Sequence, residues 1–175
     1  LCGRLRSSQG CSSSDTPEIS KGRPLITVFT PCYNRAYSLQ RLFESLQAQG
    51  SSDFEWLIVD DGSTDGTDEL CDGFARYANF PVRYMRQENS GKHVAINRGA
   101  VEARGEWFFI VDSDDFLPPD SIETNEQYLA QIETDPGFAG VSGVCARADG
   151  SWLLGQGLSL EDVDSRVREL FSLEY

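Results

Sequence analysis

The run Trp107-Phe108-Phe109-Ile110-Val111 passes directly into Asp112-Ser113-Asp114-Asp115. The same design occurs earlier, where Phe54-Glu55-Trp56-Leu57-Ile58-Val59 passes into Asp60-Asp61-Gly62-Ser63. Short apolar runs of this kind read as strands buried on both faces, which belong to sheets covered on both sides. The acids that follow pile negative charge onto the strand ends. Crowded carboxylates repel and raise one another's pKa unless something positive neutralises them, and a hard divalent cation with oxygen ligands fits that role.

The order of elements extends this picture. Leu25 to Thr30 reads as a first strand closed by Pro31, and Ser38 as the cap of a helix whose Leu39, Leu42, Phe43 and Leu46 form one apolar stripe ending before Gly50. Phe54 to Val59 is the second strand, and Thr67 to Tyr77 a helix with Leu70, Phe74 and Tyr77 on one side. Val82 to Met85 is a short third strand, and Asn89-Ser90-Gly91 a turn. His93 to Ala103 then reads as a helix with Val94, Ala95, Ile96 and Ala100 facing inward. After the Trp107 to Val111 strand, Pro118-Pro119-Asp120 opens a helix to about Glu133 carrying Ile122, Tyr128, Leu129 and Ile132, and Phe138 to Ala146 is a fifth strand. Strands alternating with helices imply right-handed crossovers and an open, mostly parallel α/β sheet with helices on both faces. Ligands of such sheets bind beyond the carboxyl ends of the strands where strand order reverses. Pro31 to Arg35, Asp60 to Ser63 and Asp112 to Asp115 all fall there, so three segments are expected to converge on one crevice.

Composition narrows the function. A chain of 175 residues is one domain by length and can bury a core without disulfide staples. The apolar runs are too short to span a bilayer. A net charge of −13 argues against a nucleic-acid partner, since binding to a phosphate backbone draws on clustered Lys and Arg. Five cysteines at 2, 11, 32, 71 and 145 form no C-x-x-C pair and do not cluster with the single histidine, which disfavours zinc. Their irregular spacing fits a reducing, cytoplasmic compartment, with the last three as small core residues. Residues 1–24, serine-rich and slightly basic, read as a disordered tail or expression remnant. Beyond Asp149 the pattern weakens to a short amphipathic piece with Val167, Leu170 and Phe171.

Four blocks then carry a family resemblance. They are Ile26-Thr-Val-Phe-Thr-Pro-Cys-Tyr-Asn-Arg35, Phe54-Glu-Trp-Leu-Ile-Val-Asp-Asp-Gly-Ser-Thr-Asp65, Glu88-Asn-Ser-Gly-Lys-His-Val-Ala-Ile-Asn-Arg-Gly99 and Gly105-Glu-Trp-Phe-Phe-Ile-Val-Asp-Ser-Asp-Asp115. In this order and spacing the chain resembles the nucleotide-sugar-binding half of an inverting family 2 glycosyltransferase with the GT-A fold. The resemblance covers about Leu25 to Ala146. It implies a Rossmann-like domain over 25–149, with 150–175 as the start of an incomplete acceptor region. It further implies that Pro31 and Tyr33 border the nucleotide base, that Asp61 accepts a hydrogen bond from the base edge, and that Lys92 contacts phosphate or base. Asp112 would approach the ribose or metal shell, Ser113 would belong to the nucleotide-sugar site, and Asp114 with Asp112 would bind Mn²⁺ or Mg²⁺ bridging the diphosphate of a donor that the same resemblance implies to be UDP-linked. A glycan or lipid-linked acceptor, polysaccharide assembly and peripheral contact with the inner face of the membrane are the setting so implied.

The resemblance also marks what is missing. Inversion needs a general base at the acceptor hydroxyl. Glu161, Asp162 and Asp164 are the only late acids in a cluster, and nothing around them matches the family's base motif, so no base is assigned. A rival reading is a non-catalytic fragment or degenerate transferase that holds nucleotide and metal. A nucleotidylyltransferase would want a Gly-rich basic loop after its first strand, where Pro31-Cys32-Tyr33-Asn34-Arg35 stands instead. Asp112 to Asp115 could alternatively be a solvated turn with helix-capping acids, Asp60 to Ser63 a plain strand-ending turn, and Tyr33 packing beside the first helix. His93 reads as a helix-start residue, Asn97 and Gly99 as helix packing, and Cys32 has no base near it in sequence to make it a nucleophile.

Overall fold

The computed structural model describes residues 2–4, 24–132 and 140–141. Along these residues the chain forms β1 (Cys2–Arg4), β2 (Ile26–Cys32), α1 (Ala36–Gln47), β3 (Phe54–Asp60), α2 (Thr67–Tyr77), β4 (Val82–Arg86), α3 (Lys92–Glu102), β5 (Trp107–Ile110), α4 (Ser121–Ile132) and β6 (Gly140–Val141). The strands make one sheet in the order β4-β3-β2-β5-β1-β6. β4, β3, β2 and β5 run parallel, and β1 is antiparallel to both of its neighbours. From β2 the chain builds outward through β3 to β4, then returns past β2 to lay down β5. The order therefore reverses between β2 and β5, and the crevice of such a sheet lies beyond their carboxyl ends.

Alternation along the buried strands sorts the side chains onto two faces. Ile26, Val28, Trp56, Ile58, Trp107 and Phe109 join α1, α2 and α4 in the larger core through Leu39, Leu42, Phe74, Ile122 and Leu129. Phe29, Leu57, Val59 and Phe108 meet α3 on the opposite face at Ala95. The expected sheet with helices on both faces is thus present.

Pro31 does not close β2, which continues to Cys32 in register with Asp60. The Val111 N–H donates to the Phe29 carbonyl, so the nitrogen of Pro31, two residues on, faces the β5 side, where the paired strand has already ended. The missing N–H of proline therefore interrupts no ladder bond.

Two glycines set how closely elements approach. A Cβ on Gly99 would lie 2.1 Å from the Phe29 ring, so only glycine lets α3 settle on this face. Gly99→Ala is expected to cost about 1–3 kcal/mol through displacement of that ring, read as a lower urea midpoint with unchanged far-UV circular dichroism. A Cβ on Gly105 would lie 2.4 Å from the backbone nitrogen of Thr27. Beside it, buried Glu55 accepts hydrogen bonds from the Thr27 hydroxyl (2.8 Å) and the Arg104 N–H (2.7 Å), and Arg83 lies 3.4 Å from its other oxygen. Thr27 Oγ1 in turn accepts from the Gly105 N–H at 2.8 Å.

Several expectations are corrected. Ser38 is not the cap of α1: the helix begins at Ala36, and the Ser38 hydroxyl bonds back to the Arg35 carbonyl at 3.2 Å. The first N–H of the helix, that of Ala36, donates instead to Asp65 Oδ2 (3.0 Å), a cap from another loop that local sequence does not signal. On α2 two helical stripes overlap, and packing selects Thr67, Cys71 and Phe74, which brings Phe74 against Phe43 at 4.4 Å between ring centres and leaves Tyr77 exposed. Val94 and Tyr128 are likewise exposed, because glycine rather than valine marks the contact line of α3 and Ile122 with Leu129 that of α4.

The tail reading of residues 1–24 fails at Cys2–Arg4, which pair with β5 and β6. Arg4 meets Glu106 at 2.5 Å and lies over the Trp107 ring. The edge of β5 presents backbone donors and acceptors that any extended segment can satisfy, and such pairing leaves little trace in side-chain composition. Gly140–Val141 lies within the expected fifth strand; the rest of that strand, and everything from 142 on, lies outside the described residues.

Candidate functional site

Reciprocal hydrogen bonds lock the turns after β2 and β3 together. Asn34 occupies the left-handed region (φ 53°), which its short amide tolerates. Its N–H donates to Ser63 Oγ (2.8 Å), and its side-chain oxygen accepts from the Thr64 N–H (2.8 Å). Asp65 accepts from Ala36 at the start of α1 and from the Thr67 hydroxyl (2.6 Å) at the start of α2. Below this layer Asp60 is fully buried and accepts from the Ser63 N–H (2.9 Å), the Ser63 hydroxyl (2.5 Å) and the Tyr84 hydroxyl (2.5 Å). Asp60 is therefore a brace for the turn rather than a group facing a ligand. Burial and then the Asp60 carboxylate push the Cys32 thiol far up, and the same two causes raise that of Cys71 to about 12. Both are buried core thiols, as expected, and neither is poised as a nucleophile.

Asp61 ties a third segment to the first two. Its N–H donates to the Cys32 carbonyl (2.8 Å). Its carboxylate, 4% exposed, accepts from Gln87 Nε2 (2.7 Å), the Ser90 N–H (2.9 Å) and the Gly91 N–H (2.7 Å). Gly62 (φ 85°) allows the close pass, since a Cβ there would stand 3.0 Å from the Asn89 nitrogen. Burial of the Asp61 carboxyl opposes its ionisation, but these three donors, with His93 adding to them, outweigh it and hold the group below its ordinary value of 3.8. A carboxylate lowered in the folded state contributes stability above its unfolded pKa and loses it as pH falls through the folded one. The stability gap between the native chain and Asp61→Asn is therefore expected to be full near neutral pH and to close as pH drops below 3.8. Urea midpoints across that range check the sign.

The acidic loop after β5 completes the site. Lys92, the first residue of α3, places Nζ 2.8 and 2.9 Å from the two oxygens of Asp112. Ser113 is buried, Asp114 and Asp115 are exposed, and the Asp115 N–H closes a turn on the Asp112 carbonyl at 3.0 Å. Burial, then Asp112 and Asp114, raise the Asp115 carboxyl, with Lys92 opposing. The donor set is carboxylate oxygen, the chemistry a hard divalent cation prefers, so the residues fit Mn²⁺ or Mg²⁺. Among the described residues no three carboxylate, thiol or imidazole groups form a ready-made cage. A cation at this loop would complete its shell with oxygens from a ligand or water.

The residues singled out from sequence thus lie at the carboxyl ends of β2, β3 and β5 and at the start of α3. Pro31 is buried at the end of β2, and Tyr33, 50% exposed, follows it. Asp61 is joined to the Gln87–Gly91 loop, and Lys92 to Asp112. Asn34, Asp65 and Gln87 were not singled out, although the first two stand inside the quoted blocks; their work is to join loops distant in sequence. Tyr37, 74% exposed, carries Arg35 over its ring at 5.8 Å and was also missed. Glu161, Asp162 and Asp164 lie outside the described residues.

The model of the family "Glycosyl transferase family 2" matches residues 27–153. The glycosyltransferase GlyG of Streptococcus pneumoniae serotype 4 is 40% identical over 112 residues, which are 63% of this chain and 37% of that protein. The chondroitin synthase of Escherichia coli is 41% identical over 101 residues, 57% of this chain and 14% of that protein. Among solved structures, the mannosyltransferase PcManGT from Pyrobaculum calidifontis, in complex with GDP-Man and Mn²⁺, superposes with a TM-score of 0.59 at 28% identity, covering 67% of this chain and 34% of that one. S. aureus TarS 1-349 in complex with UDP-GlcNAc does so with a TM-score of 0.52 at 28% identity, covering 63% and 32%. The chain thus spans little more than a third, at most, of each of these proteins. With most of its length inside the family model and its sheet shared with these enzymes, the chain belongs to glycosyl transferase family 2 and has the GT-A fold.

Proposed function

We propose that the chain is the donor half of a metal-dependent glycosyltransferase that moves a sugar, with inversion, from a UDP-linked donor to an acceptor hydroxyl. The observation that carries the reading is the meeting of Lys92 with Asp112 at the strand-order reversal, where a cationic side chain and an acidic loop face one crevice. Asp114 and Asp112 would hold Mn²⁺ or Mg²⁺, and the bound ion supplies neutralisation of the diphosphate and of the charge growing on the leaving oxygen. Tyr33 offers a half-exposed ring face for the base beside Pro31. Asp61 keeps one acceptor position beyond its three internal donors for a base edge, and it holds the loop that presents Lys92. Ser113, buried in the same loop, would belong to the nucleotide-sugar site beside Asp112.

Two neighbours were solved with nucleotide sugars, one of them with Mn²⁺, which supports a nucleotide donor and a metal. The relative named chondroitin synthase supports assembly of a glycan; a glycan or lipid-linked acceptor and peripheral contact with the inner face of the membrane belong to the same reading through the family resemblance. Among the described residues no helix is long and apolar enough to cross a membrane. The test is calorimetric titration of the 175-residue chain with UDP and with GDP, each with and without Mn²⁺. Binding that requires Mn²⁺ and favours UDP is expected. Preference for GDP would reassign the base, and absence of binding by either nucleotide with Mn²⁺ present would overturn the donor site.

A further inference from the structure

We infer that Lys92 is a resident cation of the acidic loop, which yields Asp112 to the incoming metal ion and then serves the donor's diphosphate. The inference rests on the donor-site reading above and adds to it an exchange of partners. Its first support is geometric: the ammonium sits 2.8 and 2.9 Å from both oxygens of one carboxylate, the position a divalent ion bound to Asp112 would contest. The second is where the lysine stands. As first residue of α3 it adds positive charge to the positive end of a helix, an unfavourable place for a cation unless an anion holds it. Asp112 is that anion. The third is the rigidity beneath: Asp61 fixes the Ser90 and Gly91 N–H groups, so the backbone delivering Lys92 is held while the flexible side chain remains free to turn.

The pair is also exposed enough to exchange readily, with 58% of the Lys92 and 43% of the Asp112 side chain open to solvent. Exposed pairs are weak and rearrange at small cost. A divalent ion brings twice the charge of the ammonium to the same carboxylate, and the displaced lysine, a compact point charge, is then placed for phosphate oxygens. In the unliganded protein the lysine offsets part of the repulsion that the acidic loop would direct at an anionic donor.

The test reads metal and nucleotide separately in the 175-residue chain at physiological ionic strength. Mn²⁺ alone is followed by loss of the free-ion electron paramagnetic resonance signal, and UDP and GDP with saturating Mn²⁺ by calorimetry. Lys92→Met is expected to bind Mn²⁺ alone about twofold to fivefold more tightly, the span an exposed pair supports, and to bind the nucleotide about tenfold more weakly. Lys92→Arg should follow the native chain in metal affinity. Arg41→Met, which removes a charge stacked over Phe116 beside the acidic loop at 3.9 Å, should leave Mn²⁺ affinity unaltered. Unchanged or weaker Mn²⁺ binding in Lys92→Met overturns the exchange, as does an equal gain in Arg41→Met, which would reduce the effect to net charge. If the native chain binds Mn²⁺ but neither nucleotide, the donor reading fails, while tighter metal binding in Lys92→Met still supports competition for Asp112.

Discussion

Glu55→Ala is expected to lower stability by about 3–5 kcal/mol, the cost of breaking a buried charged pair from one side. Glu55 is 1% exposed in the middle of a parallel sheet, on the face covered by α3. Its loss removes the acceptor that the Thr27 hydroxyl and the Arg104 N–H share, and it takes from Arg83 the buried carboxylate facing it. Arg83 keeps the Glu102 carbonyl at 2.8 Å, so part of its charge stays solvated by protein. A domain of this size holds only about 5–15 kcal/mol in total, so the variant should be partly unfolded at mild urea concentrations. Glu55→Gln, which keeps one oxygen acceptor in the same volume, should lose markedly less. Equal urea midpoints for the alanine variant and the native chain would show that the network contributes nothing net.

The second large effect concerns the acidic loop. Asp114→Ala is expected to weaken Mn²⁺-dependent binding of the nucleotide diphosphate by about 100-fold, because a directly coordinating carboxylate matters at least as much as the outer-shell groups whose loss costs 10–100-fold. Asp114 is exposed and, among the described residues, its side chain holds no hydrogen bond, so the urea midpoint should stay with the native chain. That separation is the useful feature of the experiment: affinity falls while stability does not. Asp60→Ala should show the reverse emphasis, since Asp60 braces the turn from below through Ser63 and Tyr84. Should Asp114→Ala bind nucleotide and metal as the native chain does, the assignment of the cation to this residue is wrong.

The adjacent acids Asp60 and Asp61 illustrate how far the amino-acid order reaches. Successive residues of a strand point to opposite faces. Period alone therefore separates the two, but it does not say which meets the crevice. The packing of α1 and α2 against one face and α3 against the other decides that Asp60 is sealed beneath Ser63 while Asp61 meets the Gln87–Gly91 loop. The stripe of α1 was legible because four large aliphatic and aromatic side chains repeat at helical spacing. On α2 and α3 the expected Leu70, Phe74, Ala95, Ile96 and Ala100 do face the core, while Tyr77 and Val94 do not, because the contact lines also run through Cys71 and Gly99, small residues that permit close approach and carry little apolar signal of their own. β1 was missed for a related reason: three residues held by backbone pairing to the edge of β5 need no distinctive side chains.

By itself the sequence determined the alternation of strands and helices, the acids at two strand ends and the four blocks of the family, since these depend on local period and residue type. Tertiary structure alone decided that Asp65 caps a helix 29 residues earlier, that Asp61 holds the loop before α3, and that Lys92 rests on Asp112. Each of these contacts joins loops distant in the chain. They are hydrogen bonds and ion pairs whose partners become neighbours only once parallel strands have brought their carboxyl ends to one edge of the sheet.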